Sequence, residues 1–335
     1  MYYKIDFDNI KLDFNTNEFW VLDQKLLPFE EKYIQLKNIN DVYNVIKEMN
    51  VRGAPLIGVV ALLGLYLGNS LENDMEFLKR ARPTAVNIFN YFNHFKKYLG
   101  DHKNYKEKIV DFIFEVIETE ESKNINIAKN GLNLIKSLVD QNKKVVNFLT
   151  HCNTGSLATI GLGTALGIIK YTHREYTGKK VFVWVDETRP YLQGSRLTAW
   201  ELKREDIDFK IITDNAAAYV MSQGLVDIVI VGADRIARNG DTSNKIGTLN
   251  LAILCKYFNI PFIVAAPNTS VDYNLDNLEL FNVEERSKEE IIKIREIFLT
   301  DKNYGVYNPS FDVTPHTLID YIVLDTGVYS GPYSF

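Results

Sequence analysis

The sequence predicts an α/β fold: a Rossmann-like, doubly wound parallel sheet preceded by a smaller N-terminal domain of short strands and a helical bundle. Three observations support this. From residue 142 onward, β-branched runs alternate with amphipathic stretches, the pattern of repeated βα units with right-handed crossovers. Before residue 140 a few short strands are followed by one helical pattern after another. The change of texture falls at Asn142-Lys143-Lys144. The expected domains are 1–140 and 141–335.

Taken in order, strands are expected at 2–7, 11–14, 18–22 and 32–36, with turn residues between them. Asn40-Asp41 starts an amphipathic helix over 42–49. The segment Val51-Arg52-Gly53-Ala54-Pro55 interrupts it, and Pro55 suits the first turn of the next helix, 56–67. Helical periodicity continues over 75–79, 84–99, 105–119 and 122–138. In the second domain, strands at 145–149, 181–185, 209–212, 226–231 and 261–266 alternate with helices at 156–169, 195–203 and 216–223. A last helix–strand signal lies at 318–324. The run 226–231, VDIVIV, reads as a strand buried on both faces. It ends in Gly232-Ala233-Asp234, and NKIGT at 244–248 opens an apolar helix.

Composition excludes several classes. The chain has 335 residues, 46% of them hydrophobic, enough to bury a core in each of two domains. A net charge of -5 gives no sign of a nucleic-acid surface. Cys152 and Cys255 are the only cysteines, so neither a disulfide framework nor a CxxC zinc site is expected. The start, MYYKIDFDNIK, has charges where a signal peptide needs an apolar core. The longest apolar stretch, 54–68, is about 15 residues and too short to span a bilayer. A cytoplasmic protein without membrane or nucleic-acid partners is expected. No GxGxxG follows the first strand of the second domain; Gly161, Gly163 and Gly167 lie in an apolar helical pattern, where small residues serve packing. A dinucleotide cofactor is not expected.

In open α/β sheets, ligands bind outside the C-terminal ends of the strands, and three rim loops carry reactive groups. The first, Thr150-His151-Cys152-Asn153-Thr154, places Cys152 just ahead of a predicted helix start, where the dipole favours thiolate. Cys255 falls instead on the interior face of a helix and reads as a packing residue. The second, DETRPYLQGSR at 186–196, offers amide and guanidinium donors suited to a sugar phosphate. The third brings Asp234, Asn244 and Lys245 to the same rim, where loop amides at a helix start suit a phosphate. Each could also be an ordinary solvated turn. In the first domain, Arg52 and Arg82 each precede a predicted helix start, an arrangement suited to an anion. Phosphate held between the domains is the expectation. No histidine pairs into a metal spacing.

At these residues the chain resembles the methylthioribose-1-phosphate isomerases, aldose–ketose isomerases of methionine salvage. That family shares its fold with the regulatory α, β and δ subunits of the eukaryotic initiation-factor guanine-nucleotide exchange complex. The resemblance rests on VRGAPLIG at 51–58, RPTAVN at 82–87, HCNTGSLAT at 151–159, DETRPYLQGSRLTAWEL at 186–202, GADRIARNGDTSNKIGT at 232–248 and FDVTP at 311–315. It implies catalytic roles for Cys152 and Asp234. It implies phosphate and sugar contacts from Arg52, Gly53, Ala54, Arg82, Gln193, Asn244 and Lys245, and a homodimer. The segment VLDTG at 323–327 departs from the family's pattern. The same scaffold also resembles isomerases of ribose 1,5-bisphosphate and 5-deoxyribose 1-phosphate, and a non-catalytic sensor of sugar phosphate or nucleotide is the other class. The pair Cys152 and Asp234 favours the enzyme, since a binder needs neither.

A sugar phosphorylated on its anomeric oxygen cannot open by simple mutarotation. An acid must protonate the ring oxygen, and hydrogen must then move from C2 to C1. Asp234, at the end of an apolar strand, is expected to have the raised pKa of such an acid. Cys152 would move the C2 proton, or else guard a hydride shift in a dry site. Neither route needs a metal or an organic cofactor. Arg52, Arg82 and Lys245 form the one basic set found for phosphate, so an apolar C5 group is expected, methylthio before deoxy.

Overall fold

The computed structural model describes residues 4–83, 85–102, 104–278 and 283–335, with the backbone alone at 86. The chain forms two compact units, Met1–Asn124 with Gly155–Gly163, and Ile125–Thr154 with Thr164–Phe335. The chain therefore passes between units after Asn124, after Thr154 and after Gly163, rather than once near residue 140.

In the smaller unit, β1 (Lys4–Asp6), β2 (Ile10–Asp13), β3 (Glu18–Leu22) and β4 (Tyr33–Gln35) pair antiparallel in sequence order. Ile10, Leu12, Phe19 and Val21 are buried at alternate positions, as a sheet with one covered face requires. Residues 2, 3 and 84 of the expected elements lie outside the described residues. Helix α1 (Ile39–Lys47) starts earlier than the apolar periodicity indicates, because Asn38 caps it and Asp41 completes a capping box. Helix α2 (Ala54–Leu67) is buried along its whole middle, 56–65, as its uniformly apolar sequence demands. Helices α3 (Leu71–Lys79) and α4 (Val86–Leu99) pack on it. Helix α5 (Tyr105–Leu138) is continuous where two helices are expected. The polar residues 118–122 contain no Gly or Pro to break it.

A larger correction concerns 156–169. The helix there, α6, is Ala165–Glu175 only. Gly155–Gly163 is a looped excursion, closed by the bridge between its end residues and belonging to the smaller unit. Gly161 and Gly163 take φ of 83° and 97°, the left-handed region that ends a helix rather than packing one. Three amide side chains hold the excursion: Asn9 donates to Ser156 O and Thr159 O, Gln24 to Leu157 O, and Asn124 to Ile160 O.

The larger unit continues with β5 (Val145–Thr150) before α6, then β6 (Lys180–Asp186), α7 (Ala199–Arg204), β7 (Asp208–Ile212), α8 (Ala217–Ser222) and β8 (Ile228–Val231). After these come β9 (Arg235–Ala237), β10 (Thr242–Lys245), α9 (Thr248–Phe258), β11 (Phe262–Ala265), β12 (Val271–Asp272) and α10 (Glu289–Ile292). The chain ends with β13 (Lys293–Ile294), β14 (Ile297–Phe298), β15 (Phe311–Thr314), β16 (Tyr321–Leu324) and β17 (Gly327–Ser330). The main sheet has the order β17-β16-β11-β8-β5-β6-β7, parallel apart from the edge strand β17. Sequence order runs outward in one direction from β5 through β7 and in the other from β8, so it reverses between those two central strands. Ile228 and Ile230 join one apolar cluster, Val229 and Val231 another, so both faces of β8 are covered.

A second, smaller sheet, β12-β9-β10-β15, is not foreseen by the sequence pattern. Residues 242–245 extend as a strand, and the apolar helix starts only at Thr248. Among the described residues no helix is long and apolar enough to cross a membrane.

Candidate active site

Within the larger unit, the two residues expected to be reactive follow the strands between which the sheet order reverses. Strands β5 and β8 are parallel neighbours, Phe148 opposite Ile228 and Leu149 opposite Val229, and Thr150 Oγ1 donates to Ile230 O at 2.8 Å. Cys152 lies two residues beyond the end of β5 and Asp234 three beyond the end of β8. Both expected reactive residues therefore leave adjacent strands on the same rim.

Cys152 is buried and adopts φ 64°. Its N–H donates to Thr188 Oγ1 at 2.8 Å, and its carbonyl accepts from Thr198 Oγ1 at 2.6 Å. Because α6 begins only at Ala165, the expected helix N-terminus is not there to favour a thiolate. Its backbone is held by two threonine hydroxyls from the segment after β6. Below it, Asn153 donates to Glu201 Oε1 at 2.8 Å, and the buried Lys170 ammonium pairs with the same carboxylate. This network satisfies a charge that would be costly alone. Cys255 behaves as read: it is buried in α9, and burial pushes its thiol pKa up.

Asp234 departs from expectation. Its N–H donates to Ser243 O at 2.9 Å, but the residue is exposed, not sheltered by the apolar strand before it. The strand stops at Val231, and Gly232-Ala233 carries the chain out before the acid.

His151 forms the junction of three rim loops. Its Nδ1 is 2.9 Å from Asp186 Oδ2 and its Nε2 is 2.8 Å from Ile246 O. A carbonyl can only accept, so Nε2 carries a proton, and a second proton is shared between Nδ1 and Asp186. Burial pushes the Asp186 pKa up to about 6 against the pull of His151. Burial disfavours the imidazolium, but the hydrogen bond and charge of Asp186 outweigh it, and the His151 pKa is raised. His151, Asp186 and Asp214 bring possible metal-ligand atoms within 4.8 Å of one another. Hydrogen bonds account for this grouping, since the Asp214 oxygens accept from Thr188 N and Arg189 N.

The start of α9 is not available to a phosphate. Asp312 accepts from Gly247 N at 2.7 Å and Leu249 N at 3.1 Å, so an internal carboxylate already caps the helix. Arg189 is likewise structural: its guanidinium donates to Pro190 O and Ile291 O. The donors that remain at this rim are side chains. Asn244 is buried and donates to Thr248 Oγ1 at 2.9 Å. Lys245 donates to Ser310 O at 2.9 Å and stands 4.2 Å from the centre of the Phe311 ring. Gln193 and Lys245 line one small recess, about 10 Å³ in volume and partly open to solvent.

The remaining predicted contacts belong to the smaller unit. Arg52 is buried just ahead of α2, Ala54 is the exposed first residue of that helix, and Gly53 takes φ 87° between them. A Cβ on Gly53 would stand 1.9 Å from Ala158 O, so only glycine fits there. Arg82 is half-buried and lies before α4, separated from it by Pro83, residue 84 and Ala85. His151, Thr188, Thr198, Glu201 and Asp312 have supporting roles that no spacing rule singled out. The only signal was their membership of the motifs that carry the family resemblance.

Residues 41–331 match the model of the Initiation factor 2 subunit family. The chain belongs to that family. Within the Initiation factor 2 subunit family it is similar to the methylthioribose-1-phosphate isomerase of Thermotoga maritima, with 44% identity over 96% of this chain and 95% of the relative. It is 45% identical to that of Aquifex aeolicus over 92% of this chain, spanning 66% of that longer relative. Among solved structures, 5-methylthioribose 1-phosphate isomerase from Pyrococcus horikoshii OT3 superposes with a TM-score of 0.88 at 38% identity, covering 97% of this chain and 93% of that one. The translation initiation factor eIF-2B subunit delta of A. fulgidus superposes at 0.84 with 34% identity, covering 99% and 97%.

Proposed function

We propose that this chain is an aldose–ketose isomerase that converts 5-methylthioribose 1-phosphate to 5-methylthioribulose 1-phosphate. One observation supports it above others: Cys152 and Asp234 leave the ends of the two strands between which the sheet order reverses. That order, with helices between its parallel strands, also favours a Rossmann-like, doubly wound description of the larger unit.

In this reading Asp234 gives its proton to the ring oxygen as the C1–O4 bond breaks, and that proton stays on the C4 hydroxyl. Hydrogen passes from C2 to C1. The proton of the C2 hydroxyl returns to Asp234, which restores the enzyme. Since Asp234 is exposed, it meets the sugar from the solvent side of the rim rather than from an apolar wall. Arg52, Arg82 and Lys245 hold the phosphate, and Gly53, Ala54, Gln193 and Asn244 complete the substrate contacts. Arg286 is a further cation beside Lys245, but Glu290 neutralises it, so a C5 phosphate gains no partner there. The chain acts on the methylthio sugar first, the 5-deoxy sugar second and the bisphosphate least. A regulatory role like that of the initiation-factor subunits is disfavoured by the presence of both Cys152 and Asp234. The exposed Tyr219, Ile253 and Tyr257 support a homodimer formed through the larger unit, which sedimentation at micromolar concentration tests.

The deciding experiment is incubation with 5-methylthioribose 1-phosphate deuterated at C2. A ketose product establishes the activity, and no ketose from any pentose 1-phosphate refutes it. Deuterium retained at C1 indicates a hydride shift, and deuterium lost to water indicates proton transfer through Cys152.

A further inference from the structure

Cys152 takes a backbone conformation that its own side chain opposes. Its φ of 64° lies in the left-handed region, which glycine enters freely and a residue with a Cβ does not. The residue is buried, so its N–H and carbonyl must also find partners. Side chains supply both. The N–H donates to Thr188 Oγ1 at 2.8 Å, and the carbonyl accepts from Thr198 Oγ1 at 2.6 Å.

Each hydroxyl has one proton, and both protons are committed. Thr188 Oγ1 donates to Asp186 O at 3.0 Å and therefore meets Cys152 as an acceptor. Thr198 Oγ1 gives its proton to Cys152 O and accepts from Asn153 Nδ2 at 3.3 Å. The two threonines are anchored in turn. Thr188 has φ 63°, and Asp214 holds it there by accepting from Thr188 N at 2.7 Å and Arg189 N at 2.6 Å. Thr198 ends the turn before α7, and Glu201 of that helix accepts from Asn153 and pairs with Lys170 of α6. A Cβ at residue 194 would stand 1.7 Å from Asp186 O and 2.9 Å from Thr188 Oγ1, so Gly194 lets this turn close on the Thr188 loop.

Glycine at position 152 would hold the same backbone without opposition. A loop that needed only this shape would gain from glycine there. A strained residue gripped at both its polar groups is the mark of a side chain in use. We infer that Thr188 and Thr198 are positioning residues of the isomerisation: by clamping the N–H and the carbonyl of Cys152, they fix the backbone that carries its thiol. The inference rests on the catalytic reading of Cys152 and adds two residues that act through it.

Valine matches threonine in shape and lacks the hydroxyl. Thr188→Val and Thr198→Val should each lower kcat on 5-methylthioribose 1-phosphate by roughly 10-fold or more, with KM within about two-fold. Thr188→Ser and Thr198→Ser keep the hydroxyl and should retain most of the rate. Thr172→Val is the control: it removes another fully buried hydroxyl, bonded to Ile168 O within α6, and should leave kcat unchanged. A double-mutant cycle decides. In a Cys152→Ser background either valine should cost less than about two-fold more, because a residue acting through Cys152 has nothing left to position. A merely structural role gives the same fold-loss in both backgrounds. Full kcat in both valine variants, or a loss undiminished in the Cys152→Ser background, overturns the clamp and leaves the isomerase standing. Near-normal kcat in Cys152→Ser overturns the role of Cys152 and the clamp with it. The threonines are tested in separate cycles, so a variant that does not fold at one position leaves the other to decide.

Discussion

Two strands of the larger unit are buried from end to end and have nothing else in common. Strand β8 is Ile-Val-Ile-Val, and strand β10 is Thr-Ser-Asn-Lys. The first is held by the transfer of apolar surface out of water and needs no particular partner. The second has to be compensated group by group: Thr242 donates to Gly240 O, Asn244 to Thr248, and Lys245 to Ser310 O. Ser243 Oγ is buried with no partner among the described residues. A chain does not bury four polar residues in a row for stability. In the proposed reading, the difference between the strands is the difference between scaffold and site.

The comparison can be broken at several points. Ile230→Ala should cost about 2–5 kcal/mol in urea unfolding while leaving kcat per folded molecule intact. A loss of turnover without a loss of stability would show that β8 is more than scaffold. At the rim the opposite is expected. Asp234→Asn and Cys152→Ser should each lower kcat by roughly 10²-fold, about 2.7 kcal/mol of barrier, with unfolding midpoints unchanged. Near-normal turnover in Asp234→Asn would remove the acid–base assignment. Arg52→Ala should raise KM by roughly 10-fold or more, as loss of a charge-assisted bond to phosphate demands. A sugar without phosphate should then bind equally poorly to both proteins, and calorimetry would reveal any difference.

The His151–Asp186 pair sharpens the contrast through pH. Both pKa values are raised in the folded chain, Asp186 from 3.8 to about 6 and His151 above 6.5. The folded chain thus holds protons that the unfolded one releases. The Asp186 contribution is complete below its unfolded value near 4 and is lost as pH rises through about 6; the His151 contribution is lost above that. Urea midpoints should fall as pH is raised across this range, and Asp186→Asn should flatten the slope. A midpoint rising with pH in the wild type but not in the variant would reverse the assignment. The smallest effect concerns Ser243→Ala. Removing an unpartnered hydroxyl should leave stability unchanged or raise it by up to about 1 kcal/mol. A fall of more than that would mean the hydroxyl has a partner in solution.

Legibility follows the same division. The six parallel strands of the main sheet and most of the helical residues of the smaller unit were readable, because apolar patterning is the force that holds them; the edge strand β17 and the continuity of α5 were not. Asp234 and Cys152 were readable as strand-end residues, and the family resemblance gave them roles. Strand β10 was not readable, since nothing in Thr-Ser-Asn-Lys says that it is buried. Asp312 could not be seen as the cap of α9, because it arrives from a strand 63 and 65 residues away along the chain. The excursion at Gly155–Gly163 was misread as helix because its residues are apolar and small, and only their φ angles show what the glycines do.

That excursion also governs how the protein can be cut. The smaller unit is not contiguous in sequence, so no single truncation separates the two. A fragment starting at residue 125 would retain Leu157 and Ile160, both fully buried in the intact chain, without the Gln24 and Asn124 amides that hold their carbonyls or the Asn9 amide that holds Thr159 O. Such a fragment would present a sticky apolar loop directly after Cys152, and it should aggregate on expression. Co-expressing residues 1–124 with it should rescue solubility, since the missing amides are then supplied in trans.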